Sequence, residues 1–134
     1  MTIHHLPLLL ALTATFLLLA TSCGKDNDLT TEIEGAYIGS YEDDAGVLTL
    51  YNVKVEVTRK SKSEIECEMT WIEGFPSAIF EGEMEDKTHF NVPAFSGEDE
   101  NYSGSGVLEN DTLKIDFIPE SDPSAIEHYA GKRQ

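Results

Sequence analysis

From Gly35 onward, apolar and polar residues alternate along the chain. The clearest run is Ser63 to Trp71, where Ile65, Cys67, Met69 and Trp71 occupy one side and Glu64, Glu66, Glu68 and Thr70 the other. Successive side chains of a strand point to opposite faces, so this pattern predicts a strand with one dry face and one wet face. Tyr51, Val53, Val55 and Val57 alternate with Asn52, Lys54, Glu56 and Thr58 in the same way, and Leu113, Ile115 and Phe117 interleave with Lys114 and Asp116. No segment places apolar residues at helical spacing, which predicts an all-β chain.

Turn formers divide these runs. Glu42 to Gly46, Lys60 to Lys62, Glu73 to Pro76, Glu85 to Lys87, Phe95 to Glu100, Asn110-Asp111 and Ser121 to Pro123 each interrupt an apolar run with Gly, Pro, Asn, Asp, Ser or charge. Strands are therefore predicted at 35–42, 47–59, 63–72, 77–84, 87–93, 101–109, 112–118 and 124–132. Short connections favour pairing between sequence neighbours. Eight such strands remove their exposed edges by closing into an antiparallel up-and-down barrel; a two-sheet β-sandwich is the alternative.

In a barrel, the inward set would be Tyr51, Val53, Val55, Val57, Ile65, Cys67, Met69, Trp71, Phe80, Met84, Phe90, Tyr102, Leu108, Leu113, Ile115 and Phe117. Eight strands enclose an interior that side chains can fill or that can hold one small ligand. The stretch from Trp71 to Phe80 is unusually apolar for a hairpin connection, as befits a portal, a partner-binding knob or a plug over one end. Trp71, Phe75 and Phe80, with Tyr51, Met69 and Tyr102, form the candidate set for contacting a small apolar or amphipathic ligand or another envelope protein.

Gly35-Ala36-Tyr37 on the first strand resembles the Gly-x-Trp of lipocalins and related calycins, with Tyr in place of Trp. The resemblance implies a lipocalin-like barrel in which a basic residue of the last strand, here Lys132 or Arg133, covers the first strand's ring through a cation–π contact. It extends over a few residues at each end of a chain much shorter than a full lipocalin.

The first residues give an address. Leu6 to Ala20 contains no Asp, Glu, Lys or Arg, a length that fits a secretory h-region better than a membrane span. Ala20-Thr21-Ser22-Cys23 resembles the lipobox of bacterial lipoproteins, although Ala20 stands where leucine is favoured and the n-region has His4 and His5 but no Lys or Arg. The resemblance implies lipidation of Cys23 and anchoring in the Gram-negative envelope; simple cleavage after Ser22, releasing a secreted protein, is the alternative. Gly24-Lys25-Asp26-Asn27-Asp28 is similar to signals that send some outer-membrane lipoproteins to the cell surface. The expected organisation is a removed signal peptide over 1–22, a flexible acidic tether over 23–31 and one barrel domain over 32–134, a monomer.

Charge and cysteine usage narrow the picture. Acidic residues number 25 against 9 basic, and the net charge of −16 argues against nucleic acid and against docking on anionic lipid through the protein surface. Of the two cysteines, lipidation of Cys23 would leave Cys67 unpartnered, a small hydrophobe in the core. His89 and His128 lie far apart, and no nucleophile elbow, paired-histidine motif or phosphate loop accompanies them, so no enzyme activity is expected. Glu42-Asp43-Asp44 and Glu98-Asp99-Glu100-Asn101 offer hard oxygens without EF-hand spacing; no metal and no cofactor are expected. Asp111-Thr112-Leu113 is similar to an O-glycosylation acceptor of Gram-negative surface lipoproteins.

Overall fold

The computed structural model describes residues 27–71, 78–97 and 99–134. Eight strands follow in order: β1 (Gly35–Glu42), β2 (Thr49–Arg59), β3 (Glu64–Thr70), β4 (Ala78–Met84), β5 (His89–Ser96), β6 (Asn101–Glu109), β7 (Thr112–Pro119) and β8 (Glu127–Arg133). Each is antiparallel to the next, and β8 returns to β1 from Tyr37↔Arg133 to Glu42↔His128. The sheet is thus a closed up-and-down barrel, and that continuous β1–β8 ladder sets aside the sandwich.

The wall follows the alternation. Val53, Val55, Val57, Ile65, Cys67, Met69, Leu113, Ile115 and Phe117 are buried inside, while Glu56, Glu66, Glu68, Glu81 and Glu83 stand on the exposed outer face. A membrane-spanning barrel needs the reverse, an apolar outer band. Across β2, β3 and β4 the acids meet acids: Glu56 is opposite Glu68, Glu66 opposite Glu81, and Glu64 opposite Glu83.

One end of the barrel is plugged. Residues ahead of β1 fold back across it: Leu29 N donates to Lys62 O at 2.8 Å, Thr30 and Ile33 are fully buried, and Tyr37 Oη donates to Ile33 O at 2.7 Å. Asp28 ties the turn by accepting from the Thr30 hydroxyl at 2.7 Å and from Arg59 Nε at 3.0 Å. Residues 28–31, which fall within the tether expected over 23–31, are thus bound to the barrel; an apolar Leu29 and a self-capping Asp28–Thr30 pair give the segment something to bury and satisfy its backbone.

Arg133 completes the plug. Its guanidinium lies over the Tyr37 ring, 5.1 Å from the centroid, and donates to Glu34 O at 2.7 Å and to Glu32 O. Lys132, the other basic candidate, projects from the outer face. Gly35 makes the approach possible: at φ 144° it occupies a conformation L side chains avoid, and a Cβ there would lie 2.8 Å from Arg133 Nη1.

The half of the barrel nearest the plug is filled. Phe90 lies over Gly106, where a Cβ would come within 2.0 Å of its ring, and Tyr129 crosses the interior to donate to Val53 O at 3.1 Å. The Cys67 thiol is buried among apolar neighbours, and burial pushes it up to about 12.

Two bulges reshape the other half. On β2, Tyr51 and Asn52 together oppose Ser40, with Asn52 at φ 56°; on β5, Pro93 and Ala94 together oppose Ser103. An extra residue shifts the parity of everything beyond it. Leu50 therefore turns toward the core and Tyr51 is 74% exposed, which corrects the inward placement of Tyr51. On β5 the same shift carries Phe95 inward, in place of the turn its sequence neighbours predict, and the strand runs on to Ser96.

Candidate ligand-binding cup

Opposite the plug, the ends of all eight strands surround a cup of about 280 Å³. Met69 and Phe117, both buried, reach it from the core and form its floor. Tyr41, Trp71, Phe95 and Tyr102 stand around them, with Leu48, Leu50 and Ala78 filling the remaining wall. The interior of this barrel is thus packed at one end and hollow at the other.

The aromatic rings form one connected set. Phe80 stacks on Phe95 at 5.1 Å and meets Phe117 edge-on at 5.3 Å. Phe117 lies 5.9 Å from Tyr41, which lies 6.3 Å from Trp71, and Phe95 stacks on Tyr102 at 5.9 Å. These offset and edge-to-face arrangements hold rings in place while leaving faces free for a guest.

Two acidic side chains, Asp99 and Glu127, complete the lining. Glu127 opens β8 on the face shared with Tyr129 and Gly131, and it sits opposite Phe117 in the ladder. Its Oε2 is shut off from solvent and has no hydrogen-bond partner among the described residues. Burial, reinforced by the neighbouring Glu127 charge, pushes the Tyr102 phenol up to about 12. The same two causes push Tyr41 well above the ordinary phenol range. Both hydroxyls therefore stay protonated donors at physiological pH.

Of the candidate residues, Met69, Trp71 and Tyr102 line the cup and Phe80 supports it from behind. Tyr51 points away from it, and Phe75 and Cys23 lie outside the described residues. Tyr41, Leu50, Phe95 and Glu127 are additions. Phe95 carried a signal in Pro93, since proline inside a strand marks an edge or a bulge. Glu127 carried one too, as a charge two residues before Tyr129 on an inward face.

Other candidate chemistry is dispersed. His89 Nδ1 lies 3.1 Å from Asp86 and His128 Nδ1 2.6 Å from Asp116, each pair exposed on the outer wall. The Asp43 carboxylate accepts from Val47 N and Leu48 N, closing its own loop. Among the described residues, no group of three acidic, histidine or cysteine side chains is arranged to hold a metal.

Comparison with known proteins agrees with the barrel. No protein-family model matches the chain, and no curated protein matches it either. Among solved structures, a de novo designed fluorescence-activating β-barrel superposes with a TM-score of 0.55 at 18% identity, over 80% of this chain and 98% of the design. At that identity the likeness is one of fold.

Proposed function

We propose that this protein is a lipid-anchored envelope lipoprotein whose barrel binds a small apolar or amphipathic molecule in the open cup, without catalysing a reaction on it. The observation that carries the reading is the hollow half of an otherwise packed barrel. A domain of roughly a hundred residues has little apolar surface to spare, yet this one leaves Tyr41, Trp71 and Tyr102 around a cup of about 280 Å³. That volume is close to the lower limit of small-molecule sites, roughly 300 Å³. The similar designed barrel is described as fluorescence-activating; the likeness is one of fold, and the reading rests on the cup.

The plug bears on the anchor. The described chain begins at Asn27, two residues before the Leu29 contact with Lys62. Four peptide steps join Cys23 to Asn27, a reach of at most about 14 Å when extended. A lipid on Cys23 would hold the plugged end toward the membrane and leave the cup facing away from it, open to a diffusing ligand.

A second reading has support in Val47, Leu48 and Trp71, exposed apolar residues around the mouth, which suit an envelope partner gripping the rim. Native mass spectrometry of the protein purified from its own host separates the two. The ligand reading expects a small co-released mass that disappears when Ala78→Phe fills the cup; a co-purifying protein, with no small mass, would replace it with the partner reading.

A further inference from the structure

Resting on the reading of the cup as a binding site, we propose that its ligand is an organic cation: an apolar body carrying an ammonium nitrogen that seats against Glu127 among the faces of Tyr41, Trp71 and Tyr102. Four observations converge. Glu127 Oε2 is buried and lacks a hydrogen-bond partner among the described residues, and a carboxylate oxygen left in that state is costly unless something donates to it. Among the described residues the lining has two carboxylates, Glu127 and Asp99, and no lysine, arginine or histidine. The sequence has no lysine, arginine or histidine at 72–77 or at 98.

The surroundings reinforce the sign. Tyr41 lies 6.3 Å from Trp71, and Phe95 lies 5.9 Å from Tyr102, so rings border the site on several sides. The negative faces of such rings attract a cation within about 6 Å of their centroids, and an aromatic box closed by a carboxylate is the recognised chemistry for ammonium groups. A net charge of −16 adds a long-range field that draws cations toward the protein and repels anions. The apolar floor of Met69 and Phe117 would take the rest of the molecule. Among the described residues of the lining, none would neutralise an anionic head.

Isothermal titration of the full chain with three probes of one shape tests this: 4-phenylbutylamine, 4-phenylbutan-1-ol and 4-phenylbutanoate. The amine is expected to bind roughly ten- to a hundredfold more tightly than the alcohol, as a charge-assisted contact to a carboxylate oxygen shut off from solvent should, and the carboxylate weakest of all. In Glu127→Gln the amine-to-alcohol ratio should collapse toward parity. Equal binding of amine and alcohol by the unaltered protein would overturn the cation proposal while leaving the cup as a site. A preference that survives Glu127→Gln would overturn the role of Glu127, and no binding of any probe would overturn the reading of the cup together with this inference.

Discussion

Replacing Arg133 by alanine should reveal how much of the barrel's closure rests on one side chain. The guanidinium loses its position 5.1 Å above the Tyr37 ring, a contact of about 0.5–1 kcal/mol. It also loses two charged-donor hydrogen bonds, to Glu34 O at 2.7 Å and to Glu32 O, each about 1.5 kcal/mol at the low end of the range, and a long 3.4 Å contact from Nε to the exposed Asp111 carboxylate that adds little. With 29% of the side chain exposed, water recovers part of this at the freed carbonyls. A net loss of about 2–3 kcal/mol is expected, or a fall in Tm of about 10–20 °C for a domain of this size. Urea unfolding followed by circular dichroism measures it, with an unchanged slope showing that the same surface is exposed on unfolding. Lys132→Ala, one residue away on the outer face, is the control and should stay within about 0.5 kcal/mol. Equal effects from the two variants, or a loss below 0.5 kcal/mol in Arg133→Ala, roughly the surface background, would refute the reasoning.

Three further outcomes follow from the fold. Asn52→Val should lose about 1–2 kcal/mol, the penalty for a β-branched residue in the left-handed conformation of the β2 bulge, whereas Asn52→Gly should be near neutral; urea midpoints distinguish them. Cys67 should resist alkylation in the native protein and react in denaturant; because its thiol is raised from 9.0 to about 12, the unfolded chain releases a proton the folded one keeps, so its share of stability is whole below pH 9 and declines toward pH 12. That portion of the alkaline decline should be missing in Cys67→Ala, which separates it from the tyrosines that shift the same way. Glu68→Lys, opposite Glu56, should raise stability by up to about 1 kcal/mol, and the gain should shrink in 1 M salt, where the screening length falls to roughly 3 Å.

The fold was readable because its signals are local and redundant. Each alternating run names a face and each turn cluster names a connection, so the limits of β1 and β6 emerge from the sequence as found. The cup was readable only in part, because its lining depends on two bulges. Val53, Val55 and Val57 continue into Tyr51 with unbroken parity in the sequence, and only pairing against Ser40 reveals that Tyr51 and Asn52 share one partner. Phe95 was hidden in the same way behind Pro93 and Ala94. The plug escaped because Asp28 and Leu29 look like tether residues until Arg59 and Lys62, a whole strand away, supply their partners. Glu127 was legible in principle, since Glu127, Tyr129, Gly131 and Arg133 share one face of β8, but a single charge gains meaning only once the cavity beside it is known.

The central claim, that the open end of the barrel is a binding cup, is tested most directly through Trp71, the sole tryptophan of the chain and part of the cup wall. Titration with N-phenyl-1-naphthylamine, an uncharged fluorophore, reads energy transfer from that indole to a guest beside it. Saturable one-to-one transfer that is abolished by Ala78→Phe is the expected result. No transfer, or transfer that persists unchanged with the cup filled, would contradict the account.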